Sequence, residues 1–321
     1  MKILLISMTL FSLSLTSLAH EMYKREIQTI YTENINYQKM KWRFLAASEN
    51  EAILELLKMI KSSDTGVKLI TRARSVAAEQ GMTLTDVIIP SGGSLTDTTL
   101  IRKFNPSTPE HVAYESRTKV FLNRDLSVLD ATLDLAHELA HFAFRSPFNP
   151  YVGHFDMKNF VTSTIEGRGG EVDAYLIECR VYDEVFRSRL GKKNNCELVK
   201  EKNKYSRKMA INEFYKVGAF HEEFSKVLKE LEINEKEFSF VSPKQVVFVS
   251  SAYSLPYPLA AVKEYYTIMG KACENDRKRM AYARQTLGRA PASKKRSPSS
   301  LRAVEKLEMS YLKRCSHISS K

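Results

Sequence analysis

The segment LDLAHELAHFAFR, Leu133–Arg145, sets His137 and His141 four residues apart and places Glu138 directly after the first. At 3.6 residues per helical turn the two imidazoles lie one above the other, where a single metal ion can take a nitrogen from each. Glu138 is turned by about 100° from His137 around the helix, so it is not a further ligand but reaches a water on such a metal. Leu133, Ala136, Leu139, Ala140, Phe142 and Phe144 surround this trio with apolar groups. In a buried helix two imidazoles and a carboxylate are costly without partners, and a metal supplies them. The competing reading is a pair of core histidines, hydrogen-bonded to backbone or carboxylates, in a metal-free helical protein.

A third protein ligand has to come from elsewhere in the chain. Glu166, Glu171 and Glu178 follow His141 at plausible distances. Glu166 precedes the flexible Gly167-Arg168-Gly169-Gly170 turn and would be held loosely. Glu171 starts a helix, so the backbone fixes its direction, and Ala174 one turn on allows a close approach to the motif helix. Glu178 lies on the same face but about 10 Å further along the axis, where it can orient a ligand histidine or pair with Arg168.

These residues resemble the zincin metallopeptidases over about residues 118 to 185. In that group a strand precedes the motif helix and lines the cleft, and Lys119-Val120-Phe121-Leu122-Asn123 stands in its place. The metzincin branch needs Gly at 144 and His at 147; Phe144 and Pro147 exclude it. The stretch Glu171-Val172-Asp173-Ala174-Tyr175 resembles the E-x-x-A-[D/N] pattern of several gluzincin families, with Tyr175 in place of Asp or Asn. The resemblance implies a helix-dominated α+β fold, a zincin-like catalytic core with a small sheet and flanking helices. It implies a zinc ion held by His137, His141 and Glu171, and peptide hydrolysis with Glu138 as general base. His154, His221, Tyr253 and Tyr257 are the candidates for stabilising the oxyanion.

Around this core the patterning predicts an N-terminal helical region over 20–86, a catalytic region with C-terminal helices over 87–287, a basic Pro/Ser-rich linker over 288–300 and a last helix and tail over 301–321. Ala52, Ile53, Leu56, Leu57 and Ile60 recur at helical spacing, and Gly81 caps the following segment. Short strands and turns are expected between Val87 and Asn123, and the motif helix starts near Asp125 or Ser127. Helices are expected again from about Glu171 to Arg189, from Glu197 to Glu230 and from Leu259 to Leu287.

Residues 1–19 read as a cleaved secretory signal: Lys2, an apolar run from Ile3 to Leu18, and a Ser17-Leu18-Ala19 cleavage site. Cleavage would expose His20, but a copper site there belongs with β-sandwich folds and not with a helical chain. The expected location is therefore periplasmic or secreted, where the four cysteines pair. Three connectivities exist; the sequence-local one joins Cys179 to Cys196 and Cys273 to Cys315. The net charge of +12 suits an anionic envelope surface without pointing to any specific nucleic acid. The expected partner is a protein or peptide substrate, a peptidoglycan peptide among them. The alternative from another class is a catalytically silent zincin-like protein that binds the envelope.

Overall fold

A computed structural model describes residues 36–105, 108–151, 155–191, 194–230, 234, 247–289 and 298–316. The signal segment 1–19, His20, His154 and residues 290–297 of the expected linker lie outside the described residues. The fold is a helix-dominated α+β arrangement with a three-stranded sheet and a two-stranded ribbon. Two compact units are formed from interleaved parts of the chain. One takes residues up to 95, 120–139 and 178–191; the other takes 96–119, 140–177 and 192–321.

In the first unit α1 (Glu49–Lys61) and α2 (Asp64–Glu79) form a helical hairpin. Ser48 and Glu51 close a capping box at the start of α1, and Ser63 caps α2, so both helix starts satisfy their exposed N–H groups. The apolar positions read from the sequence, Ala52, Ile53, Leu56, Leu57 and Ile60, are all buried, as are Leu69, Ile70, Ala73 and Ala77 of α2. In the first turn of α2 a Cβ on Gly66 would sit 1.8 Å from the Ile60 carbonyl oxygen, so only glycine permits this close approach to the end of α1.

A helical turn, Leu84–Val87, leads into β1 (Ile88–Ser91), which pairs in parallel with the end of β3 (Thr108–Asn123), Ile88 opposite Val120. The strand β2 (Leu95–Asn105) lies on the other side of β3, giving the order β1-β3-β2. Strands rather than short turns thus fill most of the region from 88 to 123. Trp42, fully buried, donates its indole N–H to the Asn123 carbonyl at 2.7 Å and fixes the point where β3 ends. The motif helix α3 (Val128–Phe144) then begins. Its first turn is capped by Ser127, whose Oγ accepts from the Asp130 N–H at 3.1 Å.

In the second unit α4 (Met157–Ile165) precedes the glycine-containing turn and α5 (Glu171–Val185), a helix whose first residues belong to this unit. The helix expected over 197–230 is broken. A two-residue hairpin with Lys202 and Asn203 at φ 49° and 63° joins Lys200–Glu201 to Lys204–Tyr205. Both residues take the left-handed conformation that a primed hairpin turn demands, which no hydrophobic pattern announces. After it come α6 (Arg207–Phe214) and α7 (His221–Glu230). The long helix α8 (Tyr257–Arg289) packs on α4 and on α9 (Pro298–Cys315). Rings of Phe148, Phe155, Phe160 and Tyr265 pack where α4 meets α8.

A disulfide between Cys273 and Cys315 ties α9 to α8. Cys179 and Cys196 are also disulfide-bonded and no cysteine is free, so the pairing is the sequence-local one. The 42-residue separation of Cys273 and Cys315 makes the bridge a substantial constraint on the unfolded chain. Replacing both by serine should lower stability by about 2–4 kcal/mol in denaturant titration. Alkylation before reduction should label no thiol. A double variant as stable as the parent would mean that α9 is held by packing alone.

Candidate metal centre

Each ligand candidate is positioned by a helix. His137 and His141 are one turn apart on α3, and Glu171 is the first residue of α5. The ligand atoms of His137, His141 and Glu171 all lie within 4.8 Å of one another, so this group can hold a metal ion. His141 Nε2 lies 3.5 Å from Glu171 Oε1, with both side chains largely buried. Glu166 is not in the group. Its carboxylate accepts from the Tyr215 hydroxyl at 2.6 Å, and its backbone carbonyl accepts from Arg207.

The other ring nitrogen of each histidine is engaged. His141 Nδ1 is 2.8 Å from the Gly169 carbonyl oxygen. A carbonyl only accepts, so Nδ1 carries the proton and Nε2 presents its lone pair toward Glu171. His137 Nδ1 lies 3.3 Å from Glu178 Oε2, which likewise leaves Nε2 as the ligand nitrogen. An imidazole whose far N–H is bound to a carbonyl or carboxylate is fixed in tautomer and plane, and its basicity rises. Glu178 thus meets His137, one of the two partners its position along the helix suggested.

The turn before α5 is shaped for this purpose. Gly169 has φ +68°, and a Cβ there would lie 2.4 Å from the Arg145 nitrogen and 2.7 Å from the Phe144 carbonyl carbon. The Gly169 N–H donates to Asp173 at 3.0 Å, and Asp173 is itself paired with Arg207. Asp173 therefore braces the turn whose carbonyl holds His141. Ala174 is fully buried, in keeping with the close approach expected of it. Tyr175 packs on Phe214 and Phe248 and contributes to the core.

Of the expected oxyanion donors, Tyr257 opens α8 and packs its ring on Phe214, and His221 opens α7. Neither belongs to the metal group. Tyr253 lies close enough to Glu264 for that carboxylate to raise its pKa, after the larger effect of burial.

Two acids near the histidines escaped sequence reasoning. Asp134, one turn before His137, is pushed up to about 6, chiefly by burial; a Ser94 hydrogen bond offsets part of this. Its helical spacing from His137 was the available signal. Glu264, on α8, is raised by burial and then drawn down by Arg145, with Glu171, His141 and Asp97 also within electrostatic reach. Nothing local in the sequence marks it. No protein-family model, curated protein or solved structure matches the chain.

Chelator competition should separate the carboxylates. Glu171→Ala should lose the metal, whereas Glu166→Ala should bind it as the parent does; the reverse result would move the third ligand to Glu166. Gly169→Ala should weaken metal binding by about 10-fold or more, because the carbonyl that fixes His141 moves. Unchanged affinity would show that the turn does not orient the ring.

The pH response of the metal-free protein follows from Asp134. Between the free value of 3.8 and about 6 the folded chain keeps a proton that the unfolded chain releases. Stability from this group therefore falls as the pH rises through that window. Asp134→Asn should flatten the thermal-melting profile between those limits, and a profile identical to the parent's would refute the assignment.

Proposed function

We propose that this chain is a zinc-dependent peptidase that works outside the cytoplasm. The observation that carries the reading is the His137, His141 and Glu171 group, with ligand atoms within 4.8 Å, and Glu138 next to the first histidine on the same helix. Two imidazoles and one carboxylate, with no thiolate, match the donor set of a zinc site that keeps a coordination position open. Zinc in such a site supplies a Lewis acid and brings the pKa of water to about 7.

The residues of the chain then divide the work. Gly169 and Glu178 hold the two imidazoles in one tautomer, so their Nε2 atoms converge. Glu138, half-buried beside His137, takes a proton from the attacking water. It returns that proton to the amine nitrogen as the peptide C–N bond breaks.

Two disulfides suit an oxidising compartment, and among the described residues no helix is long and apolar enough to cross a membrane. Export by cleavage after Ala19 completes the proposal, with a protein or peptide substrate. The intact mass of the exported chain should correspond to a start at His20.

Glu138→Gln should retain the metal yet lose peptidase activity by a factor of about 10² to 10⁴, read on a mixed peptide substrate. His137→Ala should lose the metal itself. Full activity in a zinc-loaded Glu138→Gln protein would overturn the mechanism.

A further inference from the structure

A cavity of ≈ 370 Å³ opens at His141 and runs within the second unit. One wall is the segment Thr96–Leu100 of β2; another is a single face of α8, from Glu264 through Ile268 and Lys271 to Asn275. One ion pair and one longer-range electrostatic interaction relate the course of the strand to that of the helix. Asp97 lies within electrostatic reach of Glu264, and Arg102 forms a 2.6 Å ion pair with Asp276. From Asp97 to Arg102 a strand advances roughly 16 Å, and from Glu264 to Asp276 a helix advances roughly 18 Å. The two walls therefore run side by side over a length that suits about five residues of extended peptide.

Along the α8 wall the charge changes sign from Glu264 to Lys271, and β2 runs from Asp97 in the lining to Arg102 beyond it. At the end near His141 and Glu171 stand Asp97 and Glu264, with Arg145. At the far end the lining contains Lys271, Asn275 and Tyr151. Directly behind Tyr151, the guanidinium groups of Arg102 and Arg314 lie 4.3 and 4.9 Å from its ring centroid. Asp276 pairs with both of these arginines, and Arg279 lies close enough for each to lower its pKa, after the larger effect of burial. Two guanidinium groups thus share one carboxylate with a third in electrostatic reach of it, in surroundings where Arg102, Arg314 and Asp276 are at most 15% exposed. Such a cluster projects positive potential through the Tyr151 wall, and Lys271 stands exposed on the cavity side of it.

We infer that this cavity is the specificity arm of the substrate cleft, and that its far end, at Lys271 and Tyr151, takes a carboxylate of a peptide roughly five residues long. The inference rests on the peptidase reading for the word substrate, but the binding it describes does not need turnover. The carboxylate belongs either to an acidic side chain or to the peptide's own C-terminus; both present the same group to Lys271. The acids at the His141 end disfavour a second carboxylate there, so the preference is confined to one end of the bound segment.

The test uses the full mature chain as the zinc-loaded Glu138→Gln protein and an alanine-based hexapeptide series. Each member carries one glutamate or one glutamine at a stated position, with a free or amidated C-terminus, and binding is read by calorimetry at low and high salt. The expected result is about tenfold tighter binding of the acid than of its neutral counterpart at one position, weakened by salt. Preference for the free over the amidated terminus identifies the terminal carboxylate as the source, and preference for glutamate over glutamine identifies the side chain. Lys271→Glu should abolish or invert the ratio, whereas Lys278→Glu, the same charge change on an exposed site of α8, should keep it. No acid preference, no detectable binding of any member, or a preference indifferent to Lys271→Glu would overturn the inference. Hydrolysis by the parent is scored separately. Cleavage without charge preference refutes this inference alone, and charge-selective binding without any cleavage refutes the peptidase reading alone.

Discussion

Two imidazoles stacked one turn apart in an apolar helix set a condition that much of the surrounding chain exists to meet. His141 is 5% exposed, and the residues around it on α3, among them Leu139, Ala140, Phe142 and Ala143, are buried. A ring in that position needs both nitrogens satisfied, or the helix loses more than its apolar face contributes. The structure answers for one nitrogen of each ring with Gly169 and Glu178. The two remaining nitrogens converge with the Glu171 carboxylate.

The answer for His141 depends on backbone that only glycine can provide. Gly169 must reach the end of α3 closely enough for its carbonyl to accept from the ring, in a left-handed conformation, with no room for a Cβ. That turn is then fixed from both sides: Asp173, on the first turn of α5, accepts from the Gly169 N–H, and Arg207 grips Asp173. Glu171 and Asp173 both lie in the first turn of α5, where the helix dipole favours negative charge by about 0.3–1 kcal/mol each. The same short stretch therefore starts a helix, presents the Glu171 carboxylate to His141 and holds the loop that orients that histidine.

The parts visible in the sequence were those encoded by spacing. The i, i+4 histidines, a start of α3 near Asp125 or Ser127 and the apolar stripe of α1 follow from helical geometry, and Glu171 is the carboxylate that stands beside the histidines. The cysteine pairing follows from sequence proximity. The elements missed were those set by backbone conformation or by tertiary burial. The Lys202-Asn203 hairpin breaks a stretch with good helical composition because two residues adopt positive φ, and β2 and β3 extend through a polar region whose alternation is faint. Asp134 and Glu264 are unremarkable acids in sequence. Their significance comes from burial, which depends on what packs over them.

Charge placement shows the same division between local and tertiary causes. The basic excess looks scattered along the chain, and its densest runs are at Lys200 to Lys208 and Lys294-Lys295-Arg296. Folding concentrates it elsewhere. Arg102 from β2, Arg279 from α8 and Arg314 from α9 come from distant parts of the sequence and gather about Asp276. The Cys273–Cys315 bridge joins the same two helices next to that cluster. Holding like charges together in a partly buried place opposes folding, so a covalent tie between α8 and α9 has a physical purpose there beyond general stability. The Tyr151 ring centroid lies 4.3 Å from the Arg102 guanidinium and 4.9 Å from that of Arg314, so one aromatic ring meets both cations. The result is a positive wall at one end of a cavity that His141 lines at the other.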